Sequence, residues 1–429
     1  MVRLRLTPSR LLLAFLICLL FFLSPKLLHR RRRFDNIDAS IASVQPAASY
    51  GTECSPFSSD GLNDVAIVLK MTTAQVTAQL PSYLSRIGRC LTSEHLLLFS
   101  DRTQEYNDLP IHDALKYLRP EYKYQNPDFD LYDQIQRGET VDATPLDKYK
   151  QILIMEQTWK HRPQKDWFVF LELDTYVNWD NLHRFLSRFD PSVPYYFGSP
   201  VLPRKKPFAA QATSGIILSR AALNKLMSKG RMFAENHHAV GTHLFGLDLT
   251  QETRGDLVLA KVLKQSGVSL RGYDPAFTND SPSTIRFGSS QWCEVVITLH
   301  SNDSELARWE TTRQTPATPL TFAELFTHIE PSLQPRIDDW TNLSEKVIGP
   351  ATTVDACRAA CARDKKCIQF EYVGESCRIS HGVRLGYAHP PTPEDDRKTT
   401  AGWMVERIPA FKQLQSRRCK GAHLVRADP

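Results

Sequence analysis

The stretch that most limits what this chain can fold into is DWFVFLELDTYVNWDNL, residues 166–182. Trp167 to Leu171 are apolar without a break, so the segment offers water no face of its own. A strand of that kind has to be covered on both sides, as in the middle of a mainly parallel sheet flanked by helices. The run then stops on Glu172-Leu173-Asp174-Thr175, two carboxylates one residue apart where the strand ends. Such a pair can hold a hard cation, serve as acid and base, or simply meet water, and for an isolated acid-x-acid triplet the last is the commonest.

Neighbouring segments repeat the alternation of strand and helix. DVAIVLKM (Asp64–Met71) and EHLLLFSD (Glu94–Asp101) read as apolar strands, with helical spacing in LPSYLSRIGRC between them. Leu146–Pro163 places apolar residues at 149, 152, 153 and 155 and stops at a proline, so it reads as a helix. Ser214–Met227 reads as a strand passing into a helix at Ser219. Gly255–Val268 reads as an amphipathic helix with Asp256 in its first turn and Gly267 near its end. Glu294–His300 reads as a strand closing on a histidine. Strands that alternate with helices imply an α/β sheet, and such sheets bind ligands beyond the carboxyl ends of their strands, where Glu172 and Asp174 lie.

The chain has 429 residues, enough for two or three folded units. Its net charge of +6 owes four charges to Arg30–Arg33 alone, so nucleic-acid binding gains little support. Near the N-terminus, Leu11 to Leu23 form an unbroken apolar run of thirteen residues after a basic MVRLRLTPSR. With Leu27 and Leu28 it reads as an uncleaved signal-anchor over 10–28, preferred to a cleaved signal because no small-x-small site follows. The basic Lys26 and Arg30–Arg33 on its far side oppose the orientation this requires. The triplets at Asn279, Asn302 and Asn342 read as glycosylation acceptors, and nine cysteines, eight outside the apolar run, suit an oxidising lumen. The chain thus divides into a tail (1–9), an anchor (10–28), an Ala/Ser-rich stem (29–60), an α/β domain (61–310), a linker with four prolines around a short helix at Phe322–Ile329 (311–344), a cysteine-rich module (345–407) and a C-terminal tail (408–429).

A phosphohydrolase of the Asp-x-Asp-x-Thr type is excluded, because Glu172 stands where its nucleophilic aspartate belongs and Tyr176 where its threonine belongs. The segment instead resembles the metal-binding stretch of glycosyltransferase family 31, the core 1 β1,3-galactosyltransferase and fringe-like group, where a similar acidic triplet precedes Thr-Tyr-Val. VLKMTTAQ, LLLFSD, LDKYK, SGIILSRAAL, GDLVLAKVLKQSGV, WCEVVITLH and LTFAELF follow in that family's order, and the version here is most similar to its fungal branch. The resemblance implies a GT-A fold with a Rossmann-like sheet, a UDP-sugar donor, a glycan or glycoprotein acceptor, inverting transfer (galactose and a β1,3 linkage foremost) and a Golgi-type lumenal setting on a single-pass type II anchor. By position it implies Asp174 as ligand of Mn²⁺ or Mg²⁺ with Glu172 assisting, His300 as a further metal ligand, Asp256 as catalytic base, and Lys70, Asp101, Lys148 and Asp174 at the donor. Each has a plainer reading: His300 as a buried strand-end histidine, Asp256 as a helix cap, Lys148 as a solvated lysine.

The chain departs from the family at Ala212-Thr213-Ser214-Gly215, where glycines are usual, at Gly255, where an acidic residue usually precedes the base, and at Ser301, where a second histidine is usual. Added Cβ atoms at 212 and 213 narrow the approach of backbone to substrate. The alternative function is therefore a secretory carbohydrate-binding protein with a degenerate transferase domain. Binding would then fall to the cysteine-rich module, where DACRAACARDKKCIQFEYVGESC resembles a small α+β PAN/apple domain. Its spacing fits no paired zinc knuckle, and four cysteines allow three pairings. The resemblance implies Cys361–Cys367 and Cys357–Cys377, leaving Cys54–Cys90 and Cys293–Cys419.

Overall fold

A computed structural model describes residues 63–87, 94–118, 123, 125–201, 209–236, 243–244, 247–249, 252–288, 291–301, 306, 309, 319–417, 419 and 421–422. The expected anchor and stem, Asn302 and the Cys54–Cys90 pair lie outside these residues. Among the described residues no helix is long and apolar enough to cross a membrane.

In chain order the first elements are β1 (Val65–Lys70), α1 (Thr73–Ala78), α2 (Leu80–Ile87), β2 (Leu96–Ser100), β3 (Gln104–Tyr106), β4 (Leu109–Asp113), α3 (Asp128–Gln136), α4 (Asp147–His161) and β5 (Trp167–Glu172). Then come β6 (Thr175–Val177), α5 (Trp179–Leu186), β7 (Tyr196–Gly198), β8 (Ile216–Ser219), α6 (Arg220–Asn236), the β9–β10 ribbon (His243–Leu244, Leu247–Asp248), α7 (Gly255–Gln265), β11 (Leu270–Arg271) and β12 (Thr298–His300). Eight strands form one sheet in the order β11-β7-β8-β5-β1-β2-β4-β3. All adjacent pairs are parallel except those made by β8 and β3.

The unbroken apolar runs serve both faces of this sheet. In β5, Phe168 and Phe170 face a core with Tyr149 and Ile152 of α4 and Leu259 and Val262 of α7. Trp167, Val169 and Leu171 face the opposite core with Val76, Leu182, Phe185 and Phe277. β1 divides in the same way, Ala66 and Val68 to one side and Ile67 and Leu69 to the other. A two-residue period is present, but apolar residues occupy both phases, which is why no alternation is visible in the sequence.

Two expected boundaries are corrected. The stretch around Phe322–Ile329, here α8, is no linker. Thr321 and Glu324 form a capping box, and Phe322, Leu325, Phe326 and Ile329 line a third core with Tyr176, Phe287, Trp292, Trp403 and Phe411. Their i, i+3, i+4, i+7 spacing is a buried helical face, and the flanking prolines end the helix rather than loosen it. Nor is 408–429 wholly a tail: the helix Ile408–Ser416 sends Ile408 and Phe411 into the same core. The expected strand Glu294–His300 keeps only Thr298–His300 in a ladder, because its partner β6 is three residues long.

Beyond α8 lie β13 (Ile337–Asp338), β14 (Trp340–Thr341), β15 (Lys346–Pro350), α9 (Val354–Arg363), β16 (Gln369–Val373), β17 (Ser376–Ser380), β18 (Tyr387–Ala388), β19 (Thr399–Trp403) and the helix Ile408–Ser416, α10. The order β13-β19-β16-β17-β15 makes a five-stranded sheet whose pairs are antiparallel. Disulfides join Cys357 to Cys377 and Cys361 to Cys367, fixing α9 to this sheet, and Cys293 to Cys419. Asn342 is withdrawn as a glycan acceptor. It is fully buried, and its Nδ2 donates to the carbonyls of Phe370 and Gly402 at 3.0 and 3.4 Å, so a glycan there would break both bonds inside a packed core.

Candidate active site

The site begins where β5 leaves the sheet. Leu173 and Asp174 turn the chain into β6, and the Glu172 N–H donates to Thr175 Oγ1 at 3.3 Å across the turn. Thr175 is itself buried and donates from Oγ1 to the carbonyl of Thr213 at 3.0 Å, tying the turn to the 212–214 segment. β12 pairs antiparallel with β6, His300 opposite Thr175, and the Ser301 N–H donates to the Asp174 carbonyl at 2.7 Å. The register therefore brings together two residues 126 positions apart: His300 Nε2 lies 3.2 Å from Asp174 Oδ2. That hydrogen bond holds the His300 imidazole above its ordinary pKa against the downward pull of partial burial, with the Asp174 and Glu172 charges adding to it.

Asp174 Oδ1 is buried and has no hydrogen-bond partner. A carboxylate oxygen without a partner away from water carries a cost of about 1–3 kcal/mol, which a ligand bound there removes. One carboxylate and one imidazole form a small donor set that suits a divalent cation completed by substrate oxygens. Glu172, expected to assist, is turned elsewhere: its Oε1 accepts from Lys70 Nζ at 2.7 Å. Among the described residues no group of three or more His, Cys, Asp or Glu is arranged to hold a metal ion.

The residues expected at the donor separate. Lys70, at the end of β1, is 12% exposed and also lies 2.5 Å from Asp147 Oδ1. Burial alone would lower its pKa, but the charges of Glu172 and Asp147 and their hydrogen bonds raise it far above the ordinary lysine range. Asp147 is depressed in turn: burial pushes its carboxyl up, and the charge and hydrogen bond of Lys70, the Lys150 charge and the Gly255 backbone together outweigh that. Asp101 is fully buried, 2.5 Å from Lys150 Nζ, and accepts from the Thr73 N–H at 3.1 Å. Lys148 lies 2.9 Å from Asp128 Oδ2. Thus Lys70 stands beside the Glu172–Asp174 turn, while Asp101 and Lys148 are committed to other partners.

Asp256 is buried in the first turn of α7, two positions beyond the N-cap residue Arg254. Arg254 engages both its oxygens: Nε donates to Oδ1 at 3.0 Å and a terminal nitrogen to Oδ2. Arg254 itself is half exposed, so the fork can swing into solvent and release the carboxylate. Asn279 Oδ1 accepts from Thr213 Oγ1, and the side chain is only partly exposed. Sequence reasoning assigned no role to Thr175, Asp147 or Arg254, and marked Thr213 only for its added Cβ. Only Asp147 carried a legible signal, an acidic residue in the first turn of a helix.

Residues 133–270, about a third of the chain, match the family model described as Fringe-like. The matched stretch contains Glu172, Asp174 and Asp256 and stops short of His300. The chain is also similar to a solved structure described as "a glycosyltransferase involved in the glycosylation of the major capsid of PBCV-1", at 13% identity, over 58% of this chain and 98% of that chain, with a TM-score of 0.28. A likeness of that size carries no argument about either fold or chemistry.

Proposed function

We propose that this protein is a metal-dependent inverting glycosyltransferase of GT-A fold that moves a hexose, galactose foremost, from a UDP-sugar to a glycan or glycoprotein, in a β1,3 linkage. The observation that carries the reading is the unpartnered Asp174 Oδ1 beside His300, at the carboxyl end of the central strands. The Fringe-like match over the same strand and turn supports it. Asp174 and His300 would hold the cation, Mn²⁺ or Mg²⁺, which when bound supplies positive charge against a diphosphate leaving group. Thr175 holds the turn in place through Thr213. Asp256 accepts the proton of the acceptor hydroxyl at Oδ1 or Oδ2 once Arg254 lets go of it. The five-stranded, disulfide-pinned unit is read as a PAN/apple module, and the three disulfides among the described residues suit a secretory lumen.

Calorimetric titration of the full-length chain with UDP, in Mn²⁺ and again in EDTA, tests this. Binding that needs Mn²⁺ and disappears in Asp174→Ala is the expected result; a folded chain that binds UDP in neither buffer would sink the reading. One observation favours a second function, carbohydrate binding by a chain with a silent transferase domain: both Asp256 oxygens are occupied by Arg254. Retention of glycan binding by Asp256→Asn, with no transfer by the wild type, would select it.

A further inference from the structure

Behind the Glu172–Asp174 turn lies a line of charges that the transfer reading leaves unused. Lys70 and Glu172 are register partners on β1 and β5, so the sheet itself fixes their 2.7 Å contact. On its other side Lys70 reaches Asp147 at the start of α4. The Asp147 carboxylate also lies against the backbone of Gly255, the first residue of α7, which helps hold its pKa down. α7 makes no capping bond with a side chain of its own N-cap residue, Arg254, and the Asp147 carboxylate of the neighbouring helix puts a negative charge beside its start.

The two helix starts approach as closely as their atoms allow. A Cβ at position 255 would stand 2.7 Å from the Asp147 carbonyl oxygen, 3.1 Å from its Oδ2 and 3.3 Å from the Gln151 Cβ. Glycine is required at 255 by space. Any side chain there would drive α7 away from α4, and the next residue is Asp256.

We infer that Lys70 and Asp147 are positioning residues, which set where Asp256 sits relative to the end of β5 through the series Glu172, Lys70, Asp147, Gly255. The inference rests on the reading of Asp256 as base. Lys70 is thereby an internal strut between two carboxylates, and Asp147 is the joint through which the sheet fixes the helix that carries the base. Neither residue needs to touch substrate to act in this way.

The test compares full-length wild type with Gly255→Ala, Asp147→Asn, Lys70→Met and Lys70→Arg. It measures hydrolysis of UDP-galactose, UDP-glucose or UDP-N-acetylglucosamine in Mn²⁺, whichever the wild type turns over, together with UDP binding and thermal unfolding. In Gly255→Ala and Lys70→Met, kcat falls about tenfold or more, while KM and UDP affinity stay within about threefold; Lys70→Arg restores most of the loss. If Gly255→Ala fails to fold, Asp147→Asn decides. It keeps the size of the side chain packed against Gly255, drops the charge that Lys70 holds, and should still lower kcat at constant KM. Unchanged kcat in a folded Gly255→Ala or Asp147→Asn overturns the inference, as does a rise in KM with kcat intact, which would make Lys70 a donor contact. A wild type that neither binds UDP nor hydrolyses any donor removes the functional reading and this inference with it; an active wild type with indifferent variants removes only the inference.

Discussion

Asp174→Asn is the substitution for which the structure makes the least ordinary prediction: loss of the proposed function without loss of the fold. In the metal-free protein Oδ1 is buried without a partner, a cost of about 1–3 kcal/mol. Against it stands one hydrogen bond to His300, whose side chain is 40% exposed, worth about 0.5–1.5 kcal/mol. Asparagine keeps the shape and a hydrogen bond to His300, and it puts a neutral group where the carboxylate has a buried, unpartnered oxygen. The metal-free variant should therefore be no less stable than wild type, and up to about 2 kcal/mol more so, a rise in Tm of no more than about 5 °C. Added Mn²⁺ and UDP at about a hundred times Kd should stabilise wild type by about 2.7 kcal/mol and the variant not at all. Thermal unfolding of both proteins with and without Mn²⁺ and UDP reads all four values. A fall of several degrees in the metal-free variant would mean that Asp174 is a structural anchor. A full ligand shift in the variant would mean that the cation binds elsewhere.

Two further outcomes follow from the packing around α8 and the 281–288 segment. Phe326 is fully buried with ring centroids 5.4 Å from Phe287, 5.3 Å from Trp292 and 6.2 Å from Phe411, so Phe326→Ala should cost about 3–5 kcal/mol and still give one unfolding transition by calorimetry; two separate transitions would refute the shared core. Glu345 accepts from Arg286 at 2.9 Å and Arg384 at 3.0 Å; burial pushes its pKa up, but the two guanidinium charges hold it below the usual 4.5. A depressed carboxylate contributes stability above its unfolded value that is lost as pH falls through the folded one. Glu345→Gln should thus cost no more than about 1 kcal/mol at neutral pH, because the pair is half exposed, and the difference should vanish in denaturant titrations well below pH 4.5. An equal difference at pH 3 and pH 7 would contradict this.

What the sequence disclosed was whatever depends on short range. β1, β2 and β5 announce themselves because every position before their last is apolar. α4 and α7 show helical spacing, and Gly267, at φ +71°, ends α7 as its place in the sequence suggests. Long-range facts were closed to that kind of reading. Nothing within reach of Asp174 says that His300 lies beside it, since the register of β6 on β12 decides that; only the resemblance pointed there. Prolines at 316, 319, 331 and 335 masked the apolar face of α8, because breakers were weighed above a clean i, i+3, i+4, i+7 pattern. Lys148 and Asp101 look like free charges in sequence, and their partners Asp128 and Lys150 appear only when distant elements meet.

The contacts around Thr213 bear on how the two parts of the protein relate. Thr175, next to Asp174, donates to the Thr213 carbonyl, and the Thr213 hydroxyl donates to Asn279. From Thr278, whose N–H donates to the Thr298 carbonyl at 3.1 Å, the chain runs to Phe287, which exchanges backbone hydrogen bonds with Val383 at 2.8 and 3.0 Å. Between them the Ser283 carbonyl accepts from the Gly386 N–H at 2.7 Å. One short strap therefore starts against the turn that carries Asp174 and ends on the five-stranded unit. An added module that only tethered a ligand would need no such path, because a flexible link meets that need at less entropic cost. Buried aromatic residues shared through α8, and a strap bonded at both ends, instead brace the C-terminal unit against the segment that leads to the candidate site.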